Sequence, residues 1–190
     1  MEVIKEAKVK IDDLEDLLRE GKILTLPTDT VYGLVCNASN KEAVERVFEI
    51  KGRDIKKPIS VFVRDIKMAE SLAEISKEQE EFLKTAWPGK VTVVLKRKRG
   101  RKLFGIDKET IALRIPDHKL IKNLFKLIDF PLSGTSANLS GEDSAIETKE
   151  LLKQFKTKGP DLIVDGGKLK ERKPSVIFDL TKNPIRILRQ

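Results

Sequence analysis

The sequence predicts an α/β fold built on a mixed sheet flanked by helices. Short apolar and β-branched runs near residues 23–26, 59–63, 91–95 and 110–115 alternate with segments of helical periodicity. Spacing after residue 86, and again near the C-terminus, suits hairpins better than crossovers, so antiparallel pairs should accompany parallel ones. No repeat, low-complexity linker or composition break interrupts the 190 residues, which predicts one domain over 1–190.

Taken in order, residues 8–11 are expected as a short strand, with Asp12 or Asp13 capping a helix that ends near Gly21. Ile23, Leu24 and Leu26 read as a buried strand, stopped by Pro27, which has no N–H for a central ladder. Thr28, Asp29, Thr30 and Tyr32 then place polar side chains in a turn closed by Gly33. Ser39 or Asn40 caps a helix to about Ile50, with Val44, Val47 and Phe48 as its apolar stripe.

The next position on that stripe is Lys51. A lysine where the pattern asks for a core residue either snorkels to the surface or points into a cleft. Gly52 is a helix stop, and Arg53, Lys56 and Lys57 follow before Pro58 and a strand over 59–63. Lys51 and Arg53 suit two readings: complements to the helix dipole, or parts of an anion site.

Asp65 begins another helix through Met68, Ala69 and Leu72; Ser76 caps the next, with Gln79 at the capping-box position and Phe82, Leu83 and Ala86 inward. Trp87-Pro88-Gly89 is a turn, and Val91 to Leu95 a strand. The run from Lys96 to Lys102 is a solvated hairpin or loop, with RNA contact as its functional alternative. Thr110 to Ile115 is a strand ended by Pro116, and a helix from near Asp117 carries Leu120, Ile121, Leu124, Phe125 and Ile128. Leu132 leads into a polar loop over 133–141; a helix around 147–155 and strands near 161–165, 175–180 and 185–189 complete the chain.

Composition narrows the function classes. Charged residues make up 36% with a net charge of +8, against about 25% charged in an average chain. The excess suits a polyanion partner, and equally a heat-adapted surface. Aromatics are only 5%, with one Trp and one Tyr, which disfavours a stacking platform for single-stranded RNA. One cysteine, Cys36, and one histidine, His118, exclude a disulfide framework and a Cys/His zinc site. No apolar stretch approaches a membrane span and the N-terminus lacks the plan of a signal peptide, so the expected address is cytoplasmic.

The common phosphate-binding motifs are missing. Asp165-Gly166-Gly167-Lys168 lacks the earlier glycine and the following Ser or Thr of a P-loop, and no GxGxxG occurs. Gly134-Thr135-Ser136-Ala137-Asn138 approaches a nucleophile elbow, but ends in Asn and follows the only histidine. A hydroxyl-rich loop for holding a ligand is the better reading, and a side-chain-capped turn is the structural alternative. Arg114, at the end of its strand, is a surface charge if exposed and needs an anion if buried.

Four stretches in this order resemble the YrdC-like family of threonylcarbamoyl-AMP synthases: Leu26-Pro27-Thr28-Asp29-Thr30-Val31-Tyr32-Gly33-Leu34; Lys51-Gly52-Arg53; Ala112-Leu113-Arg114-Ile115-Pro116-Asp117-His118; and Thr135-Ser136-Ala137-Asn138-Leu139-Ser140-Gly141. The segment from Lys173-Pro174-Ser175 to Ile187-Leu188-Arg189-Gln190 looks like the finish of the short, single-domain members, without the longer type's further C-terminal domain. The resemblance implies a twisted open sheet around a basic concave cleft. It also implies a nucleotidyltransferase that joins L-threonine, bicarbonate and ATP, with magnesium, into threonylcarbamoyl-AMP and pyrophosphate.

Partner proteins would pass the threonylcarbamoyl group to the adenosine beside the tRNA anticodon. Carried over position by position, Lys51 and Arg53 would be catalytic. Thr30, His118 and Ser136 would line the threonine pocket. Arg53, Lys57, Arg114, Asn138, Ser175 and Arg189 would face ATP. Three departures stand out: Asp54 replaces a common proline after Arg53, Phe62 sits where some relatives have histidine, and Ser144-Ala145-Ile146 replaces a common Ser-Pro-Thr pattern after Ser140-Gly141, which leaves that segment out of the expected site. The rival reading is an RNA-binding protein acting through its basic face, with direct tRNA contact. Carbamoyl transfer in hydrogenase maturation is disfavoured, because those chains are longer and rich in zinc-finger-like cysteines.

Overall fold

The computed structural model describes residues 1–170 and 173–189; Gln190, the last residue of the C-terminal motif, lies outside them. In these described residues eleven strands form one mixed sheet: β1 (Glu2–Lys5), β2 (Leu24–Leu26), β3 (Gly33–Val35), β4 (Ser60–Phe62), β5 (Ala73–Glu74), β6 (Val91–Arg97), β7 (Thr110–Arg114), β8 (Leu132–Ser136), β9 (Leu162–Asp165), β10 (Val176–Asp179) and β11 (Arg186–Arg189). Among the described residues six α-helices flank it: α1 (Ile11–Arg19), α2 (Lys41–Lys51), α3 (Ile66–Leu72), α4 (Lys77–Ala86), α5 (Lys119–Leu127) and α6 (Thr148–Gln154). The strand order is β1-β9-β2-β3-β8-β4-β7-β6-β10-β11, with β5 joined to β6, so the sheet stays open between β1 and β11. Parallel pairs (β1–β9, β2–β9, β4–β7, β6–β10) mix with antiparallel ones such as β6–β7 and β10–β11.

Local chemistry sets most helix ends. Asn40 accepts from the Ala43 N–H and Asp65 from the Met68 N–H, and Ser76 with Gln79 forms a complete capping box. Gly52 closes α2 in the left-handed conformation, φ 58°, which a glycine adopts without a Cβ penalty.

Residues 8–11 correct one expectation. They hold the end of a 3₁₀ turn (Glu6–Lys8) and the start of α1, not a strand. Lys10 is the N-cap, and Asp12 and Asp13 lie inside the first turn, where they complement the helix dipole rather than cap it. A second correction concerns residues 132–136, which form β8 rather than loop. Their polar sequence hid a strand because one face looks into a cleft. β1, β3 and β5 are also additions; each has at most four residues, too few for alternation to show.

The sheet's register explains where that cleft lies. Leu24, Val35 and Leu132 are buried in the main core, with Leu14 and Leu18 of α1 and Leu120, Ile121 and Leu124 of α5. Their face of the sheet continues through Gly33 opposite Ser136, Ser60 opposite Gly134, and Phe62 opposite Arg114. It carries on through Ala112 opposite Val94, then Thr92, Ile177 and Arg189, each opposite the next. Side chains of the other parity, Val61, Val93, Leu95 and Leu113, are buried in the core. Small and polar residues thus occupy a face that would otherwise be packed.

Candidate active-site cleft

That face forms the floor of a cleft with an inner cavity of about 160 Å³. The structure brings together Thr30, Arg53, Arg114, Ser136, Ser175 and Arg189 along its lining, six of the residues expected there from sequence. Arg53, Arg114 and Arg189 supply three guanidinium groups, and no carboxylate is among the described lining residues.

Each arginine is held by its own scaffold. Arg114 is buried: Nε donates to the Gly89 carbonyl (2.9 Å), Nη1 to Thr30 Oγ1 (3.1 Å) and Nη2 to Asp29 Oδ1 (2.6 Å). Arg53 folds back on its loop, donating to the carbonyls of Lys57 (2.9 Å) and Pro58 (3.1 Å). Arg189 grips Ser175, donating to its carbonyl (3.0 and 2.8 Å) and to its hydroxyl (3.2 Å).

All three guanidinium pKa values are pulled below the ordinary arginine range. For Arg53 the cause is burial. For Arg114 burial is opposed by the charge and hydrogen bond of Asp29. For Arg189 burial comes first, then the positive charges of Arg114 and Arg53. The charges of Arg114 and Arg53 thus bear on Arg189. A bound anion would relieve that repulsion.

Lys51 takes neither of the two courses its place in the stripe suggested. It is buried behind the cleft, and its Nζ donates to the carbonyls of Ser136 (2.6 Å) and Asn138 (2.9 Å) and to Asn138 Oδ1 (3.0 Å). The Ser140 N–H returns a bond to the Lys51 carbonyl (2.7 Å), and Ser136 Oγ donates to Asn138 Oδ1 (2.6 Å). Lys51 and Asn138 therefore clamp the loop that presents Ser136.

Lys57 and His118 are not among the cleft-lining residues. Lys57 is exposed on the 53–58 loop and contributes its carbonyl to Arg53. His118 is the N-cap residue of α5 without a side-chain cap bond, its Nδ1 4.0 Å from Glu6 Oε1. Asp54 replaces the proline's stiffening with its own turn: Oδ1 accepts from the Lys56 N–H (2.9 Å) and the carbonyl from the Lys57 N–H (2.9 Å).

Sequence reasoning placed Asp29 in the turn but gave it no role in the site. The rule that a buried arginine needs an anion, applied to the neighbouring motifs, could have paired it with Arg114. Thr28, Ser60 and Thr92 were also missed. Thr92 Oγ1 shares a 2.7 Å hydrogen bond with Ser175 Oγ, and Ser60 Oγ donates to the Gly134 carbonyl. The period-2 pattern of each strand could have put Ser60 on Phe62's face.

The 96–102 run lies away from this cleft. Lys96 pairs with Glu74 (3.0 Å), Lys98 donates to the Glu70 carbonyl (2.7 Å) and Arg97 to the Asp107 carbonyl (3.2 Å). Among the described residues, no helix is long and apolar enough to cross a membrane.

An open mixed sheet with three arginines along one cleft defines the class as an α/β domain with cations on one face of its sheet. A family model described as telomere recombination, that of the Sua5, YciO and YrdC proteins, matches residues 16–190, and the chain belongs to this family. It is 37% identical over 99% of its length to the threonylcarbamoyl-AMP synthase of Pyrococcus abyssi, covering 55% of that protein. A relative from Methanocaldococcus jannaschii is 36% identical over 98% of the chain, which covers 87% of that protein. The solved structure of P. abyssi Sua5 complexed with L-threonine superposes with a TM-score of 0.88 at 34% identity, over 99% of this chain and 56% of that one. The chain thus spans about half the length of the Pyrococcus protein.

Proposed function

We propose that the chain is a threonylcarbamoyl-AMP synthase, a cytoplasmic nucleotidyltransferase joining L-threonine, bicarbonate and ATP into threonylcarbamoyl-AMP and pyrophosphate. The observation that carries this reading is the convergence of Arg53, Arg114 and Arg189 on one cleft. Attack of an N-carboxylated amino acid on the α-phosphate brings one anion onto another. Fixed guanidinium groups offset that repulsion and stabilise charge on the departing pyrophosphate.

No covalent nucleophile is needed, so catalysis rests on alignment and electrostatics. In this reading Thr30 and Ser136 face the amino acid, while Arg53, Arg114, Ser175 and Arg189 face the nucleotide. Lys51 and Asn138 act through Ser136. Magnesium enters as part of the nucleotide substrate. Among the described residues no three His, Cys, Asp or Glu side chains form a metal cluster, so phosphate oxygens and water would supply most of its ligands. The product's acyl group would pass, through further proteins, to the adenosine beside the tRNA anticodon.

The test is pyrophosphate release from MgATP with threonine and bicarbonate each omitted in turn. Release that requires both is expected. Robust release without threonine, or none under any combination, would overturn the proposal.

A further inference from the structure

Two aromatic residues stand among the hydroxyls and guanidiniums of the cleft lining, Tyr32 and Phe62; the Tyr32 hydroxyl is spent on the Gly167 carbonyl, and the Phe62 ring forms part of the floor. Phe62 is 4% exposed, and the Arg114 guanidinium carbon stands 5.9 Å from its ring centre. A Cβ built on Gly134 would fall 2.5 Å from two ring carbons, and one on Gly33 would lie 3.7 Å from a third. Glycine at 134 is therefore required by the ring's close approach to the backbone, and the ring's place is fixed by Gly134 and Arg114. Gly33 is paired with Ser136, and Arg114 is bonded to Thr30, so the ring sits among the three polar groups Thr30, Arg114 and Ser136.

Their hydrogen-bond inventory sets what a ligand there must offer. Thr28 spends its hydroxyl proton on the Val31 carbonyl (2.7 Å). Thr30 must then give its own proton to Thr28 Oγ1 (3.0 Å) while accepting from Arg114 (3.1 Å). One lone pair and no proton remain on Thr30 for a ligand. A group facing Thr30 must donate, as an amine or carbamate N–H does, while Arg114 needs an acceptor, which the nucleotide phosphates supply in the reading above. The amino acid meets the demand of Thr30, and its side chain then has the Phe62 ring as an apolar wall.

We propose that Phe62 is a specificity-determining residue that packs against the γ-methyl group of threonine and so discriminates against serine. The proposal rests on the synthase reading above. A single methyl group in an apolar pocket changes kcat/KM by about 10- to 200-fold. Preference for threonine over serine should fall in that range for the unaltered protein. Truncating the ring removes the wall, and with it the ring's contact with the Arg114 guanidinium, but removes none of the hydrogen bonds of Thr30 and Ser136, so the preference should shrink.

The experiment measures kcat/KM for threonine and for serine, by pyrophosphate release, in the unaltered chain, Phe62→Leu and Phe62→Ala. Circular dichroism accompanies each variant. The expected result is a threonine-to-serine ratio at least about tenfold lower in Phe62→Ala and intermediate in Phe62→Leu. If Phe62→Ala fails to fold, the drop in Phe62→Leu decides. A folded, active variant with an unchanged ratio would overturn the proposal while leaving the synthase reading intact. Failure of the unaltered chain to release pyrophosphate in response to threonine would overturn both.

Discussion

Asp29 Oδ1, from outside the cleft lining, forms an ion pair 2.6 Å from Nη2 of the lining residue Arg114, with side chains 10% and 5% exposed. The pair answers the question posed by an arginine on the inner face of a strand: its counter-anion comes from the Thr-Asp-Thr turn. Asp29 Oδ2 is buried without a hydrogen-bond partner among the described residues, so the carboxylate is committed to Arg114 through one oxygen.

Removing Asp29 leaves a buried guanidinium uncompensated. Breaking such a pair costs about 3–5 kcal/mol, and Asp29→Ala should lower the urea midpoint accordingly. Pyrophosphate supplies an anion in place of the missing carboxylate, so it should raise the melting temperature of Asp29→Ala more than that of the unaltered protein. Equal shifts in both would show that Arg114 does not reach the ligand.

Arg53 and Arg189 approach the cleft from opposite scaffolds, a loop after α2 and the edge strand β11. Arg53→Ala should cut kcat/KM for pyrophosphate release by about 100- to 1000-fold, the usual loss when one preorganised charge donor is removed. Arg189→Ala also releases Ser175, and should raise the KM for ATP. Both variants should keep the helical circular dichroism of the parent. Unimpaired release by either would remove that arginine from the site.

Helices were legible in the sequence because their signals are local: caps at Asn40, Asp65 and Ser76, and a stop at Gly52. Strands that build the cleft were harder. β8 alternates between the core and an open face, so Gly134 and Ser136 read as loop although they pair with Ser60 and Gly33. Lys51 was legible as an exception to its stripe, but its partners lie 85 to 87 residues away and no spacing rule reaches them. His118 shows another limit: it heads α5 outside the described cleft lining, and no local signal says which way a residue at a helix start faces.

Neutralising Arg97, Lys98 and Arg99 together should leave pyrophosphate release nearly unchanged. Arg97 and Lys98 bond to carbonyls on their own surface, and Arg99 lies 3.9 Å from Glu109. Exposed substitutions of this kind change stability within about 0.5 kcal/mol each. Collapse of the reaction would place the run at the cleft. If the run binds RNA, the slope of log affinity against log salt should fall by about 0.9 for each duplex phosphate that the variant no longer neutralises.

Lys51 carries a pH signature. Burial first, and the Arg53 charge second, pull its ammonium from 10.5 down to about 7, while the three oxygen acceptors of the 136–138 loop pull the other way. With the folded pKa depressed, the unfolded chain binds more protons between pH 7 and pH 10.5. Stability must therefore rise with pH across that window; below it both states are charged and the cost of burying the cation is present in full. Lys51→Met keeps the side chain's length and apolar stem but removes the titration and the clamp. Urea midpoints for both proteins, from about pH 6 to about pH 10, isolate the contribution of this group. The unaltered protein should gain on Lys51→Met as pH rises through the window, and pyrophosphate release by the variant should be low throughout because Ser136 is no longer held. A stability difference that stays flat with pH would mean that the three acceptors keep the amine charged in the folded protein.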